Sequence, residues 1–211
     1  MKKSICVALL LSCIGLLLCG CSSEQDKLVG RWETSVELTS LLNEEISNSS
    51  DLMKEYVEPG EYKVTFLWTF YQDGTYSMLP ESGSLEKAER EFYNSVRKGM
   101  ETYLQEELEK ISPELSREEY LAELGLTMDS FMLQLLGEDP VAGFLQDLEL
   151  EKRGCYVLEE GKLFLSESIN RDPGKDHLLY ELHEDTLILE LGKWEDSLGR
   201  ELFPAILRRD E

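Results

Sequence analysis

The sequence is poor in positive charge: 21 Lys and Arg stand against 43 Asp and Glu in 211 residues, a formal charge of −22. A body this acidic repels polyanions, so nucleic acid is excluded as a partner. Histidine is almost absent, at positions 177 and 183 alone. Cysteine is scarce beyond the start, since four of the five lie within the first 21 residues. Past that start, no run is apolar enough to concern a membrane. What is present is enough for a core: 42% of the residues are hydrophobic, with three Trp and nine Tyr. That composition is not disordered, and the length suits one domain or a domain with one large insertion.

Lys2 and Lys3 precede an apolar run from Ile5 to Leu18, too short and wrongly flanked for a transmembrane helix. It closes in Leu18-Cys19-Gly20-Cys21, which resembles the bacterial lipobox. The resemblance implies a signal peptide over 1–20 and a diacyl lipid on Cys21, with 21–27 as lipidated N-terminus and linker. The chain would then be anchored to the bacterial cell membrane on its extracytoplasmic side. Cys6, Cys13 and Cys19 leave with the leader and Cys21 takes the lipid, so Cys155 is the one remaining thiol. No intramolecular disulfide is expected, and the domain must hold by its core. Losing both lysines makes the mature chain still more acidic, so the acyl chains, not charge, must attach it.

After the linker the hydrophobic period is two. Trp32, Thr34, Val36 and Leu38 alternate with Arg31, Glu33, Ser35 and Glu37. Tyr62, Val64, Phe66, Trp68 and Phe70 form a second apolar face, and Asp73-Gly74 turns it into Thr75–Leu79. Cys155–Leu158, Leu163–Ser166, His177–Leu182, Thr186–Leu191 and Leu202–Arg209 complete eight strands. Between Leu79 and Gly154 the period becomes helical. Leu85, Ala88, Phe92, Val96, Met100, Leu104, Leu108 and Ile111 recur at three and four. Ser116-Arg117-Glu118-Glu119 reads as a capping box for a helix stopping at Gly125. Thr127 caps another through Leu136, and Asp139-Pro140 starts a fourth through about Glu151.

These elements predict a mainly β fold with an α insertion. It is an eight-stranded antiparallel up-and-down barrel over 28–211, capped by a helical block over 81–153 between strands 3 and 4. Tight turns and long connections alternate, which puts all the long ones, Thr39–Gly60 among them, at one rim.

Gly30-Arg31-Trp32 at the head of the first strand resembles the Gly-x-Trp signature of the lipocalin and calycin barrels. Phe70-x-x-Asp73-Gly74-Thr75-Tyr76, Gly154-x-Tyr156, Gly161-x-Leu163 and Asp185-Thr186-Leu187-x-Leu189 are similar to small lipocalin-like bacterial lipoproteins. The resemblance covers about 28–79 and 154–209. It implies that Gly30 and Trp32 plug the closed end beside a basic residue of the last strand, Arg208 or Arg209. The helical block has no counterpart in an ordinary lipocalin, and the family's Thr-Asp-Tyr motif is absent.

Val36, Leu38, Phe66, Trp68, Tyr76, Met78, Tyr156, Leu163, Leu165, Tyr180, Leu182, Leu187 and Leu189 are expected to line the interior. They would enclose a small hydrophobic ligand or fill the barrel outright. The strongly acidic helical block would be a lid, a docking surface for a cationic protein partner, or a solvated face. His177 and His183 share a strand face with Glu181, but Leu178, Tyr180 and Leu182 form the apolar face, which leaves the histidines in solvent without a third ligand. Cys155 is expected to be an inert thiol. No Ser-centred elbow, phosphate loop or zinc-spaced cluster occurs, so no metal, cofactor or enzyme activity is expected. The sequence thus predicts a non-enzymatic, lipid-anchored binding protein for a small hydrophobic ligand or envelope component. The alternatives are a protein-interaction module acting through the helical block and, as an outsider, a hydrolase or other enzyme.

Overall fold

The computed structural model describes residues 24–148, 150–166, 177–193 and 203–210. Eight strands close into an antiparallel barrel in sequence order: β1 (Gly30–Glu37), β2 (Lys63–Phe70), β3 (Thr75–Pro80), β4 (Lys152–Glu159), β5 (Lys162–Ser166), β6 (His177–Leu182), β7 (Thr186–Lys193) and β8 (Ala205–Arg209). The period-two pattern sets the register. Trp32 lies opposite Trp68, and Trp68 opposite Met78, so one row of large side chains points inward across three strands. Trp32 also pairs with Arg209 of β8, which closes the ring and leaves no sheet edge.

Among the described residues seven helices accompany the strands: α1 (Glu24–Leu28), α2 (Thr39–Ser49), α3 (Asp51–Tyr56), α4 (Ser82–Ile111), α5 (Arg117–Glu123), α6 (Met128–Leu136) and α7 (Pro140–Asp147). The insertion between β3 and β4 is helical as expected. α4 runs 30 residues, buries Ala88, Phe92, Val96, Met100, Leu104 and Leu108, and packs on β2. Its start is pinned there: Thr65 donates its N–H to Ser84 Oγ at 2.9 Å, and Glu81 accepts from the N–H groups of Gly83 and Ser84. The Ser116–Glu119 capping box forms, and Thr127 caps α6 through the Ser130 N–H.

Three elements differ from the sequence reading. Thr39–Gly60 is not a plain loop but carries α2 and α3, which bury Leu42, Ile46 and Met53. The segment read as a linker is a helical turn from Glu24 onward and buries Leu28. α7 ends at Asp147, before Glu151, and Asp139 makes no side-chain cap. Glu89 of α4 does that work instead, accepting from the N–H groups of Val141 and Ala142 at 3.1 and 2.7 Å. A carboxylate reaching from another helix replaces the local cap, which no local pattern announces.

Tight turns at Tyr71–Gly74, Glu160–Gly161 and His183–Asp185 lie at the end where β1 begins; α2 to α7 lie at the other. The fifth and seventh connections fall largely outside the described residues. Among the described residues no helix is long and apolar enough to cross a membrane.

Candidate functional site

The barrel interior is the first place to look for a ligand. Leu38, Phe66, Trp68, Tyr76, Met78, Tyr156, Leu163, Leu165, Leu187 and Leu189 are all buried there, while Val36, Tyr180 and Leu182 are half-buried at its margins. The aromatic rings gather toward the closed end, next to the β2–β3 turn. Trp68, Phe70 and Tyr76 stack with centroids 6.1 to 6.4 Å apart, and Tyr156 meets Phe70 edge-on at 5.1 Å. An eight-stranded barrel is just wide enough for side chains to fill it, and these rings pack against one another across its closed half.

The closed end is sealed by a compact constellation. Trp32 is fully buried and donates its indole N–H to the Leu28 carbonyl at 2.8 Å. The Arg209 guanidinium lies over the Trp32 ring, 4.3 Å from its centre, and donates to the carbonyls of Val29 and Lys27. Arg208 is exposed, opposite Glu33, so Arg209 is the basic neighbour. Gly30, at φ +139°, leaves room for this: a Cβ there would stand 2.8 Å from Arg209 Nη1. α1 is further tied down by Tyr180, whose hydroxyl donates to Glu24. Burial first, then that carboxylate, pushes the Tyr180 phenol up to about 12. Cys21 lies outside the described residues, three positions before this docked turn.

At the open end, the helices leave a groove. α3 and α7 each pack on α4, and between α2–α3 and α6–α7 lies an open trough of about 530 Å³. Phe92 of α4 lies along it, and Phe92 in turn meets Tyr62 at the top of the barrel with ring centroids 5.7 Å apart. Ile46 and Met53 face Leu135, Leu136 and Phe144. Glu45, Glu138, Asp139 and Asp147 also line the trough, with no Lys or Arg among its lining residues. Among the described residues other open grooves occur: one on α3–α4 is more polar, and one along β3–β4 is as apolar as the trough but includes Arg153 in its lining. Glu89 sits just behind α7, and burial holds its carboxyl above the ordinary carboxylate range against the two N–H groups it accepts from.

Comparison of the chain with known protein families, with curated proteins and with solved structures finds no match in any of the three. Function must therefore be read from the site itself.

The remaining candidates stand apart from the groove. His177, half-buried, has its ring against Phe164 at 5.2 Å, and His183 is exposed in the closed-end turn. Six residues of strand separate them by about 20 Å, too far to share an ion. Among the described residues, no group of three or more His, Cys, Asp and Glu side chains is placed to hold a metal. Cys155 is a buried thiol on β4. The groove's α2–α3 wall was the part that sequence reasoning missed. Its signal was present: Leu42 and Ile46, then Met53 and Val57, recur at four, the period of a helix rather than a loop.

Proposed function

We propose that this chain is a lipid-anchored, extracytoplasmic lipocalin-like protein that binds an apolar or amphipathic envelope component without chemical turnover, and that it does so in the groove of its helical cap. The observation that carries this reading is the exchange of roles between barrel and cap. The barrel, where a lipocalin would hold its ligand, is packed with Trp68, Phe70, Tyr76 and Tyr156. The cap holds an open apolar trough within the ordinary size range of ligand sites, roughly 300–1,000 Å³. The lipobox around Cys21 and the Gly30–Trp32–Arg209 plug support anchoring and lipocalin kinship respectively.

The test uses a neutral apolar fluorophore, N-phenyl-1-naphthylamine, and the variant Gly143→Leu. Gly143 lines the groove, and a Cβ there meets nothing within 4 Å, so leucine fills the trough without disturbing α7. Saturable uptake by the parent chain, at least tenfold weaker in Gly143→Leu, is the expected result. Uptake indifferent to Gly143→Leu would put the site elsewhere.

A further inference from the structure

The groove's chemistry narrows what it takes. Resting on the reading of the groove as the binding site, we infer that its occupant is an amphipathic helical segment of another protein whose apolar stripe is flanked by cationic side chains. The groove is unroofed rather than enclosed. A small ligand is usually engulfed over most of its surface, whereas a helix lays one stripe of side chains into a trough and leaves its other face in water. Leu135 on its wall is 40% exposed, so the apolar lining is open to a partner laid along the trough.

Charge selects the partner. Four acidic side chains line the trough, Glu45, Glu138, Asp139 and Asp147, and no basic one does. A helix whose flanks carry Lys or Arg would meet opposite charge on both sides as its apolar stripe enters. Two other occupants are disfavoured on the same ground. A second copy of the chain would bring its own −22 against these carboxylates, and like charges facing each other in an interface are costly. An acidic segment would find no donor at the nearest helix start, because Glu89 already accepts from the N–H groups of Val141 and Ala142. The chain's own N-terminal turn, α1, is committed to the opposite end through Trp32, Arg209 and Tyr180.

The experiment uses the full lipidated chain in zwitterionic lipid nanodiscs, with empty nanodiscs as the blank. Three labelled 18-residue peptides are compared: an amphipathic Leu/Lys helix, a Leu/Glu helix with the same apolar stripe, and a scrambled Leu/Lys sequence without a stripe. The Leu/Lys helix is expected to bind one per chain. Its affinity should fall at least tenfold in Gly143→Leu, in the combined variant Glu45→Gln/Glu138→Gln/Asp139→Asn/Asp147→Asn, and with rising salt; the other two peptides should bind at least tenfold more weakly. Unchanged melting temperature and circular dichroism keep either variant informative. Equal binding of the Leu/Lys and Leu/Glu helices would overturn the inference while leaving groove binding intact. Binding indifferent to Gly143→Leu, or shared by the scrambled peptide, would mean diffuse charge attraction and would also overturn it. So would a dimer that Gly143→Leu dissociates. Failure of the neutral fluorophore as well would remove the groove reading itself.

Discussion

The Arg209 guanidinium lies 4.3 Å from the centre of the Trp32 ring, so the last strand of the barrel closes over the plug carried by the first. The same guanidinium donates to two carbonyls of the segment that leads into β1. One planar cation thereby joins both ends of the described chain, using its face for the ring and its edge for the backbone.

Trp32→Ala should therefore lower stability by about 3–5 kcal/mol, the usual range for truncating a large buried aromatic. Arg209→Met should cost about 1–3 kcal/mol, from the lost ring contact and the backbone bonds. Arg209→Lys should not restore the loss, since an ammonium lacks the fork. Urea unfolding measures all three. A Trp32→Ala cost below about 1 kcal/mol would contradict the plug.

Glu89→Ala should destabilise by about 1–2 kcal/mol, because two N–H groups of α7 lose their acceptor. The pH dependence has a definite sign. Burial raises the Glu89 pKa above 4.5 in the folded chain, so there the folded state holds its proton more tightly than the unfolded state does. Its titration thus makes the fold lose stability as pH rises from about 4.5 through the raised value. Glu89→Gln should remove that loss. Denaturation of parent and Glu89→Gln between pH 4 and 8 should give curves whose difference changes in this window; a constant difference would count against the assignment.

Tyr62 offers a stabilising change. Its hydroxyl is buried without a regular hydrogen bond, beside Ser95 and the Gly60 backbone, and burial raises its phenol pKa. Tyr62→Phe keeps the ring against Phe92 and removes the orphaned group. Stability should rise by roughly 1 kcal/mol, since an unsatisfied buried polar group costs about 1–3 kcal/mol. A loss of that size in a thermal or urea melt would show that the hydroxyl is in fact engaged.

Anchoring and orientation make the last prediction. Cys21→Ala should abolish membrane fractionation and acyl labelling while leaving the barrel folded; retention of the variant on membranes in high salt would refute the anchor. With a lipid on Cys21, two residues separate it from docked Glu24, and the three steps of chain span at most about 10 Å. The closed end must then rest against the bilayer and the cap groove face outward. Gln134 on α6 and Glu184 in a closed-end turn are both exposed in the folded chain. A cysteine at 134 should label readily on intact membranes and one at 184 slowly, with buried Cys155 silent in the background. Equal labelling at both positions would mean that the body stands free of the surface.

Much of this architecture is determined by sequence alone, because its causes are local. Alternation along Trp32–Leu38 and Tyr62–Phe70 can only be strands with one buried face, and the Asp73-Gly74 turn can only pair the second of them antiparallel with Thr75–Leu79. Ser116 and Thr127 announce their helices because the capping side chain lies three residues from the N–H it accepts from. Tertiary structure decided the rest. Whether Trp68, Phe70 and Tyr76 line a cavity or fill it depends on how rings from different strands meet, which no single strand encodes. Arg209 rather than Arg208 reaches Trp32 because closure of β8 on β1 selects one face of the strand. Glu89 caps a helix more than fifty residues downstream, and the acidic groove exists only where α2–α3 and α6–α7 are held apart on α4. Contacts between residues distant in the chain are set by packing of the whole, and here those contacts make the site.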